Sequence, residues 1–293
     1  MRKGIELLCV VLCLAIGCYA QVTSNVFERV MNVRVHPGTE DDGTATAFTI
    51  DVDGREYLIT AKHVVANLKD DDAIYVFMNN DWSALRVKIF RCADPVDIAV
   101  LVPPRQLTVN FELPSEQSKF YIGQEAYFLG FPYGIRIDAT GINGPYPMSV
   151  IKGARISGTV ALDTQRKAVM ILLDGYNNPG FSGGPIVYRD LNQGAVTFKL
   201  AGVVAGFIPE VVPVMTKHNL KSFSEASKAS KAQPWKIQQR VDGTYFEYVD
   251  SDTFVALNTG IVQGFLIQPA IDLIRQHPIG PIVKDLPGNQ PGN

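Results

Sequence analysis

The sequence contains little cysteine and no marked excess of charge of either sign. Four cysteines occur in 293 residues, and three of them, Cys9, Cys13 and Cys18, lie within the first 20 positions. If that segment is removed, only Cys92 remains, and one cysteine cannot form an internal disulfide. The net charge of −2 gives no sign of the basic patch typical of nucleic-acid binding. No Gly-rich phosphate loop and no Cys/His spacing of a zinc site is present, so we expect neither a cofactor nor a metal.

The N-terminal segment is strongly apolar. Two basic residues precede the mostly apolar residues 5–17, and small residues follow up to Ala20. This order predicts a secretory signal peptide over residues 1–20, and therefore an exported protein, either periplasmic or secreted. The run is too short for a comfortable transmembrane helix, so no transmembrane span is expected in the mature protein. The alternatives are an uncleaved anchor and lipidation at Cys18, whose preceding residues resemble a bacterial lipobox.

Few stretches show the periodicity of an amphipathic helix, and the clearest is the short run 269–276. Elsewhere, short runs rich in β-branched and aromatic residues alternate with turn signals, such as the hairpin signal Asp53-Gly54. This pattern predicts an all-β domain, either a barrel or a sandwich, over residues 21–283. The remaining residues, 284–293, are rich in Gly, Pro and Asn and are predicted to be a disordered tail.

A serine stands among glycines in the stretch NPGFSGGP, residues 178–185. Glycine permits positive φ and leaves room for a close approach to the backbone. A nucleophilic serine needs an exposed hydroxyl, with N–H groups nearby that converge on the oxygen that becomes negative during attack. The stretch therefore indicates a nucleophile at Ser182, although a Gly/Pro turn between two strands has the same composition.

A nucleophilic serine requires a base, and the four histidines differ in their surroundings. His36 and His277 each precede a proline, and His218 lies in a polar stretch. Only His63 lies at the end of a strand-like run, residues 57–65. Taken alone, His63 could equally be a partly buried histidine with satisfied nitrogens.

A histidine base also requires a carboxylate on its other nitrogen, and Asp97 fits this role. Asp97 precedes the short apolar run 98–102, where a carboxylate is costly to bury unless it is hydrogen-bonded. A turn aspartate beside Asp94 and Pro95 is the alternative interpretation.

The three residues occur in the order His63, Asp97, Ser182, at intervals of 34 and 85 positions. This order separates chymotrypsin-like enzymes from subtilisins and α/β-hydrolases. The surrounding sequences TAKH, DIAVL and GFSGGP resemble that family's T-A-x-H, D-I-A-x-L and G-x-S-G-G-P motifs. The chain therefore resembles a trypsin-like serine protease over roughly residues 30–207 and 257–277. It is most similar to the bacterial HtrA/Deg-like protease module without a PDZ domain.

The resemblance implies a chymotrypsin-like fold of two antiparallel six-stranded β-barrels followed by a short C-terminal helix. The first barrel would span about residues 26–104 and the second about 120–267. Residues 208–255 are not explained by the family and are predicted to be an insertion. Part of this insertion, 222–232, is nearly low in complexity, which favours a surface loop. A lid or a partner-binding loop is the alternative.

The roles implied for the triad are those of a serine endopeptidase. Ser182 would attack the peptide carbonyl, His63 would carry the proton, and Asp97 would orient the imidazole. The backbone N–H groups of Gly180 and Ser182 would form the oxyanion hole. Phe181 departs from the family, since many trypsins have an aspartate there that pairs with a freshly cut N-terminus. We therefore expect no such activation step.

The resemblance also implies a substrate-binding surface. Tyr176 would occupy the floor of the S1 pocket, where the absence of a carboxylate argues against cleavage after Lys or Arg. Ala205, Gly206 and Phe207 would form one wall of the pocket and pair with the backbone of a polypeptide substrate. The alternatives to an endopeptidase are a silent peptide-binding protein on this fold and an esterase with the same triad. The sequence leaves the oligomeric state open.

Overall fold

A computed structural model describes most of the chain. The described residues are 22–39, 42–109, 113–115, 119–139, 143–163, 168–190, 197–220 and 236–284. The predicted signal peptide, the low-complexity stretch 222–232 and nearly all of the predicted tail lie outside these residues.

Strands make up most of the described chain. They are β1 (Val30–Val35), β2 (Gly43–Val52), β3 (Arg55–Thr60), β4 (Ala73–Met78), β5 (Asp81–Arg86), β6 (Lys88–Arg91), β7 (Ala99–Val102), β8 (Glu125–Gly130), β9 (Val150–Asp163), β10 (Ala168–Asp174), β11 (Pro185–Asp190), β12 (Thr197–Leu220), β13 (Lys236–Gln239) and β14 (Tyr245–Leu266). The helices are α1 (Ser24–Phe27) and α2 (Gln268–Gln276), with 3₁₀ turns at Lys62–Val65 and Pro132–Gly134.

The first sheet is antiparallel and has the strand order β5-β4-β1-β2-β3-β7-β6. Its two edge strands, β5 and β6, are separated only by Val87. One continuous segment, 81–91, therefore pairs with β4 at its start and with β7 at its end, and joins the two edges of the sheet. The described sheet has seven strands where six were expected, because the segment 81–91 is divided into two strands at the buried Val87.

The second sheet closes on itself. Its order is β10-β9-β8-β11-β12-β14-β13, and β10 also pairs with β14 from Met170↔Phe265 to Asp174↔Ile261. These pairings form a ring of six strands, with β13 outside it as the seventh. The two sheets and the C-terminal helix confirm the predicted all-β, two-barrel, chymotrypsin-like fold.

The outer parts of β12 and β14, together with β13, form a second compact unit, Phe207–Gly260. Within this unit β13 pairs antiparallel with β14, from Lys236↔Tyr248 to Gln239↔Tyr245. Asp242 and Gly243 lie in the turn between them, and the Thr244 backbone N–H and hydroxyl both donate to the Asp242 carboxylate. The unit covers the segment that sequence analysis treated as an insertion.

One hydrophobic cluster connects both barrels and α2. It includes Phe48 and Ile50 of β2, Leu129 of β8, and Ile271 and Ile274 of α2. The apolar positions of α2 recur at a helical spacing, which turns one face of the helix toward this core. The same cluster therefore fixes the strands that carry the candidate site. No helix of the described residues is long and apolar enough to cross a membrane.

Candidate active site

A tight hairpin positions His63. Strands β2 and β3 pair up to Val52↔Arg55, and the two connecting residues, Asp53 and Gly54, have φ angles of 50° and 74°. Positive φ at both positions is what a two-residue hairpin turn requires, so the hairpin predicted from the Asp-Gly pair is confirmed. The chain leaves β3 at Thr60 and enters the 3₁₀ turn Lys62–Val65, which contains His63.

Sheet register brings Asp97 to His63. Thr60 at the end of β3 is paired with Ala99 at the start of β7, so the residues beyond these two strand ends are neighbours. His63 Nδ1 lies 2.6 Å from Asp97 Oδ2, and the His63 backbone N–H donates to Asp97 Oδ1 at 2.9 Å. An ionised carboxylate only accepts hydrogen bonds, so Nδ1 carries the proton and Nε2 is left as a basic nitrogen.

The surroundings of Asp97 favour its charged form. Burial alone would raise its pKa, but the hydrogen bonds and charge of His63, with a smaller contribution from the charge of Lys62, outweigh burial. The pKa of Asp97 therefore lies below its ordinary value. The His63 ring is half exposed, whereas the Asp97 side chain is about three-quarters covered, so the imidazole is accessible and its orienting carboxylate is shielded.

Residues 180–184 form the turn that carries Ser182, which we call the serine turn. This turn packs onto the end of the strand that leads to His63. A Cβ added to Gly183 (φ 85°) would lie 2.2 Å from Thr60 Oγ1 and 2.8 Å from the Ala61 nitrogen. Only glycine permits this approach, and the carbonyl of Ser182 accepts a hydrogen bond from the backbone N–H of Thr46 at 3.0 Å. The structure thus brings the serine turn and the His63 turn to the same place.

The Ser182 hydroxyl forms no hydrogen bond with His63. Its hydrogen bond within the described part of the chain goes to the carbonyl oxygen of Ala205, at 3.4 Å. Catalytic hydrogen bonds are often long or misaligned before substrate binds. Rotation of one side-chain torsion is enough to redirect such a weakly held hydroxyl.

Within residues 180–184, two backbone N–H groups have no acceptor among the described residues. The amides of Phe181, Gly183 and Gly184 donate to the carbonyls of residues 178, 204 and 181, respectively. Among the described residues, the amides of Gly180 and Ser182 have no acceptor. Gly180 has φ 104°, and a Cβ there would lie 2.3 Å from the Phe131 carbonyl oxygen. The two free donors are those that the sequence assigned to the oxyanion hole.

Thr46 connects the serine turn to the first barrel, and sequence analysis missed it. Its hydroxyl donates to the Gly180 carbonyl at 2.7 Å and accepts from the Phe131 N–H at 3.1 Å, while its own carbonyl accepts from the Thr60 hydroxyl at 2.8 Å. The alternating sequence TATA predicts that the threonines point to solvent. In the structure, however, residues 45–50 are buried on both faces of the strand. A threonine within a strand buried on both faces is the one feature that could have indicated a role for Thr46.

The residues predicted to bind substrate are placed as follows. The Tyr176 side chain is more than half exposed, and its ring lies 5.6 Å from the ammonium nitrogen of Lys152. Ala205 is next to Ser182 through the hydroxyl contact, and the space that a Gly206 side chain would fill is empty. Phe207 is the first residue of the second compact unit. Its role in S1, like that of Tyr176, stays a prediction.

A known protein family matches the part of the chain that contains His63, Asp97 and Ser182. The sequence profile described as the trypsin-like peptidase domain matches residues 45–196, which is just over half of the chain. No curated protein sequence matches the chain.

Two of the solved structures that match the chain are proteases. The HtrA-type protease AlgW, a serine-to-alanine variant with tripeptide, is 16% identical with a TM-score of 0.48, over 86% of this chain and 61% of that one. The Rv3671c protease from M. tuberculosis in its active form is 16% identical with a TM-score of 0.46, over 92% of this chain and 85% of that one. The matched region therefore spans less than two thirds of the AlgW chain.

Proposed function

The chain belongs to the family of trypsin-like peptidase domains, and from that premise we propose that it is a serine endopeptidase with the triad Ser182, His63 and Asp97. The observation that carries the proposal is the pairing of His63 with Asp97. Two hydrogen bonds, at 2.6 and 2.9 Å, connect one carboxylate to the ring and to the backbone of the same histidine. A second bond to the backbone fixes the position of the imidazole as well as its tautomer.

Each member of the triad has one role in the proposed reaction. On substrate binding, the Ser182 hydroxyl turns from the Ala205 carbonyl to His63 Nε2 and attacks the scissile carbonyl carbon. His63 accepts the hydroxyl proton and then gives it to the leaving amine, which yields an acyl-enzyme. Water activated by His63 hydrolyses the ester. Asp97 stays ionised throughout and stabilises the protonated imidazole, a role supported by its lowered pKa.

The free amides of Gly180 and Ser182 are proposed to bind the oxyanion of the tetrahedral intermediate. Preorganised donors of this kind are effective because they need no rearrangement when the charge develops. Removal of one donor typically lowers turnover by about 10²–10³-fold. The same pair of amides would bind the phosphoryl oxygen of a covalent inhibitor, which makes inhibitor labelling a direct readout of the assembled site.

We also propose that the protein is exported with its first 20 residues removed. Expression of the full chain in a bacterium, followed by mass spectrometry of the exported protein, tests this. We expect a mature N-terminus at Gln21. A lipid-modified Cys18 at the N-terminus, or an intact Met1 in the membrane fraction, would contradict it.

A silent peptide-binding protein is the second candidate. The observation that favours it is the Ser182 hydroxyl, which is directed at Ala205 rather than at His63. A protein of this kind would bind peptides beside Ser182 and His63 without cleaving them.

The test is labelling with a fluorophosphonate probe beside a Ser182→Ala control. We expect the exported wild-type protein to be labelled and the variant not to be. A peptide library with internally quenched fluorophores then separates an endopeptidase from an esterase, which would hydrolyse only ester substrates. A folded wild-type protein that is neither labelled nor active, but that binds peptides, would replace the proposal by the silent binder.

A further inference from the structure

The direction of the Gly180 N–H depends on the carbonyl of Pro179. Both groups belong to one planar trans peptide unit, so they point in opposite directions. The Pro179 carbonyl accepts a hydrogen bond from the backbone N–H of Tyr133 at 2.8 Å. Tyr133 therefore determines the direction in which the first proposed oxyanion donor points.

Tyr133 is held in an unfavourable backbone conformation. Its φ of 53° and ψ of 23° are in the left-handed region, where a non-glycine residue is uncommon and persists only when its surroundings enforce it. Burial does not hold the side chain, which is 69% exposed. Its hydroxyl instead accepts a hydrogen bond from Asn178 Nδ2 at 3.3 Å.

Lys152 of β9 fixes Asn178 from the other side. The Lys152 ammonium group donates to Asn178 Oδ1 at 2.6 Å and to the Tyr176 carbonyl at 2.7 Å. Its nitrogen also lies 5.4 Å from the centre of the buried Phe181 ring, within the range of a cation–π contact. In the described part of the chain, Lys152 contacts no carboxylate. The charge of Lys152 is therefore directed at the loop that precedes Ser182. Burial lowers the pKa of Lys152.

We propose that Lys152 is a positioning residue for the oxyanion hole, acting through Asn178 and Tyr133. We call these three residues the latch. Lys152 holds Asn178, Asn178 holds the Tyr133 hydroxyl, and the Tyr133 N–H turns the Pro179–Gly180 peptide so that the Gly180 N–H faces the reacting carbonyl. The inference rests on the proposed function. It also gives the serine turn a support that needs no ion pair at Phe181.

The test compares Lys152→Met with Lys152→Arg and with the matched control Arg155→Met. Arg155 is an exposed cation on the same strand, and its side chain bonds to the Gly123 carbonyl outside the latch. We expect Lys152→Met to lower the rate of fluorophosphonate labelling and kcat by about 10–100-fold, somewhat less than loss of a whole oxyanion donor. KM should change little, because the latch acts on the transition state. Lys152→Arg should restore most of the rate, and Arg155→Met should match the wild type.

The outcomes separate the latch from the proposed function. A folded Lys152→Met protein that is labelled at the wild-type rate overturns the latch and leaves the protease proposal standing. If Lys152→Met does not fold, Asn178→Ala tests the same chain of contacts. If the wild-type protein is not labelled, the protease proposal fails. Hydrogen–deuterium exchange of residues 176–184 then decides, since faster exchange in Lys152→Met than in Arg155→Met supports the latch and equal exchange overturns it.

Discussion

Two carboxylates of the first barrel, Glu56 and Asp97, accept similar hydrogen bonds, but their pKa values are shifted in opposite directions. Glu56, in β3, is 1% exposed and accepts hydrogen bonds from the Leu107 N–H at 2.5 Å and the Thr108 N–H at 3.1 Å. Asp97 also accepts from a backbone N–H, that of His63. Both carboxylates therefore hold a segment that lies outside the strands of the sheet.

Their pKa values move in opposite directions. Burial raises the pKa of Glu56, and the hydrogen bonds from Thr108 and Leu107 offset only part of that rise. At Asp97 burial acts in the same direction but is outweighed by His63 and Lys62. Hydrogen bonds to the charged form lower the pKa of a carboxylate, and a nearby positive charge lowers it further. Glu56 is therefore suited to holding the linker between the barrels, and Asp97 to stabilising a charged imidazole.

The largest effect is expected from Asp97→Asn. The amide can offer an N–H to Nδ1, which turns the imidazole into the wrong tautomer, so kcat should fall by about 10⁴-fold, the loss known for the equivalent change in a trypsin-like serine protease. The free energy of unfolding should change far less than the activity. The measurement is kcat on a peptide substrate together with urea unfolding. Glu56→Gln is the control, and a comparable loss of kcat there would remove the distinction between the two carboxylates.

The roles of these two carboxylates were not equally predictable from the sequence. Asp97, like His63 and Ser182, lies in a short motif of consecutive residues, so the local sequence was enough to predict its role. Glu56 is the second residue of an ordinary strand sequence, REYLIT, and looks like a solvent-exposed residue. Its partners are 51 and 52 positions away, and only the folded chain brings them together.

The same limit applies to the fold and to the rest of the site. Turn signals and short apolar runs predicted the all-β class and the hairpin at Asp53-Gly54. Thr46, Tyr133 and Lys152 were missed because their importance depends on register and packing between distant strands. The number of strands in the first sheet differed because one break at Val87 divides a continuous segment, and no turn signal marks that break.

Glu56→Ala should have the second largest effect, on stability and not on chemistry. It leaves the partly buried N–H of Leu107 and the buried N–H of Thr108 without their acceptor, which should lower the free energy of unfolding by about 1–3 kcal/mol. The rate of fluorophosphonate labelling per folded molecule should not change. Urea unfolding measures the loss, and Glu125→Ala, which removes an exposed glutamate, is the matched control. An unchanged unfolding midpoint would show that the linker does not depend on Glu56.

The dependence of stability on pH should separate the two carboxylates more finely. The raised pKa of Glu56 means that the folded state binds more protons between the ordinary value of 4.5 and the folded value, so stability falls as pH rises through that window. The lowered pKa of Asp97 has the opposite sign, and its contribution is lost as pH falls from 3.8 through the folded value.

Unfolding free energies measured from pH 2 to 8 test these signs. Glu56→Gln should flatten the curve above about pH 4.5, and Asp97→Asn should flatten it below about pH 4, each relative to the wild type. The proposed signs are wrong if Glu56→Gln steepens the loss of stability above pH 4.5, or if Asp97→Asn leaves the acid limb unchanged.

The smallest effect is expected from Lys62→Met, which tests how much His63 and Lys62 each contribute to the low pKa of Asp97. The charge of Lys62 is the weakest of the influences on Asp97, and its ammonium group is already engaged with the exposed Asp94 carboxylate at 2.6 Å. We expect the acid limb of the stability curve to move slightly to higher pH, with a change in stability of at most about 1 kcal/mol. Lys62→Arg, which keeps the charge, should behave as the wild type. A loss of kcat as large as that of Asp97→Asn would instead mean that Lys62, and not His63, keeps Asp97 ionised. The opposite pKa shifts of Glu56 and Asp97 would then be due to Lys62.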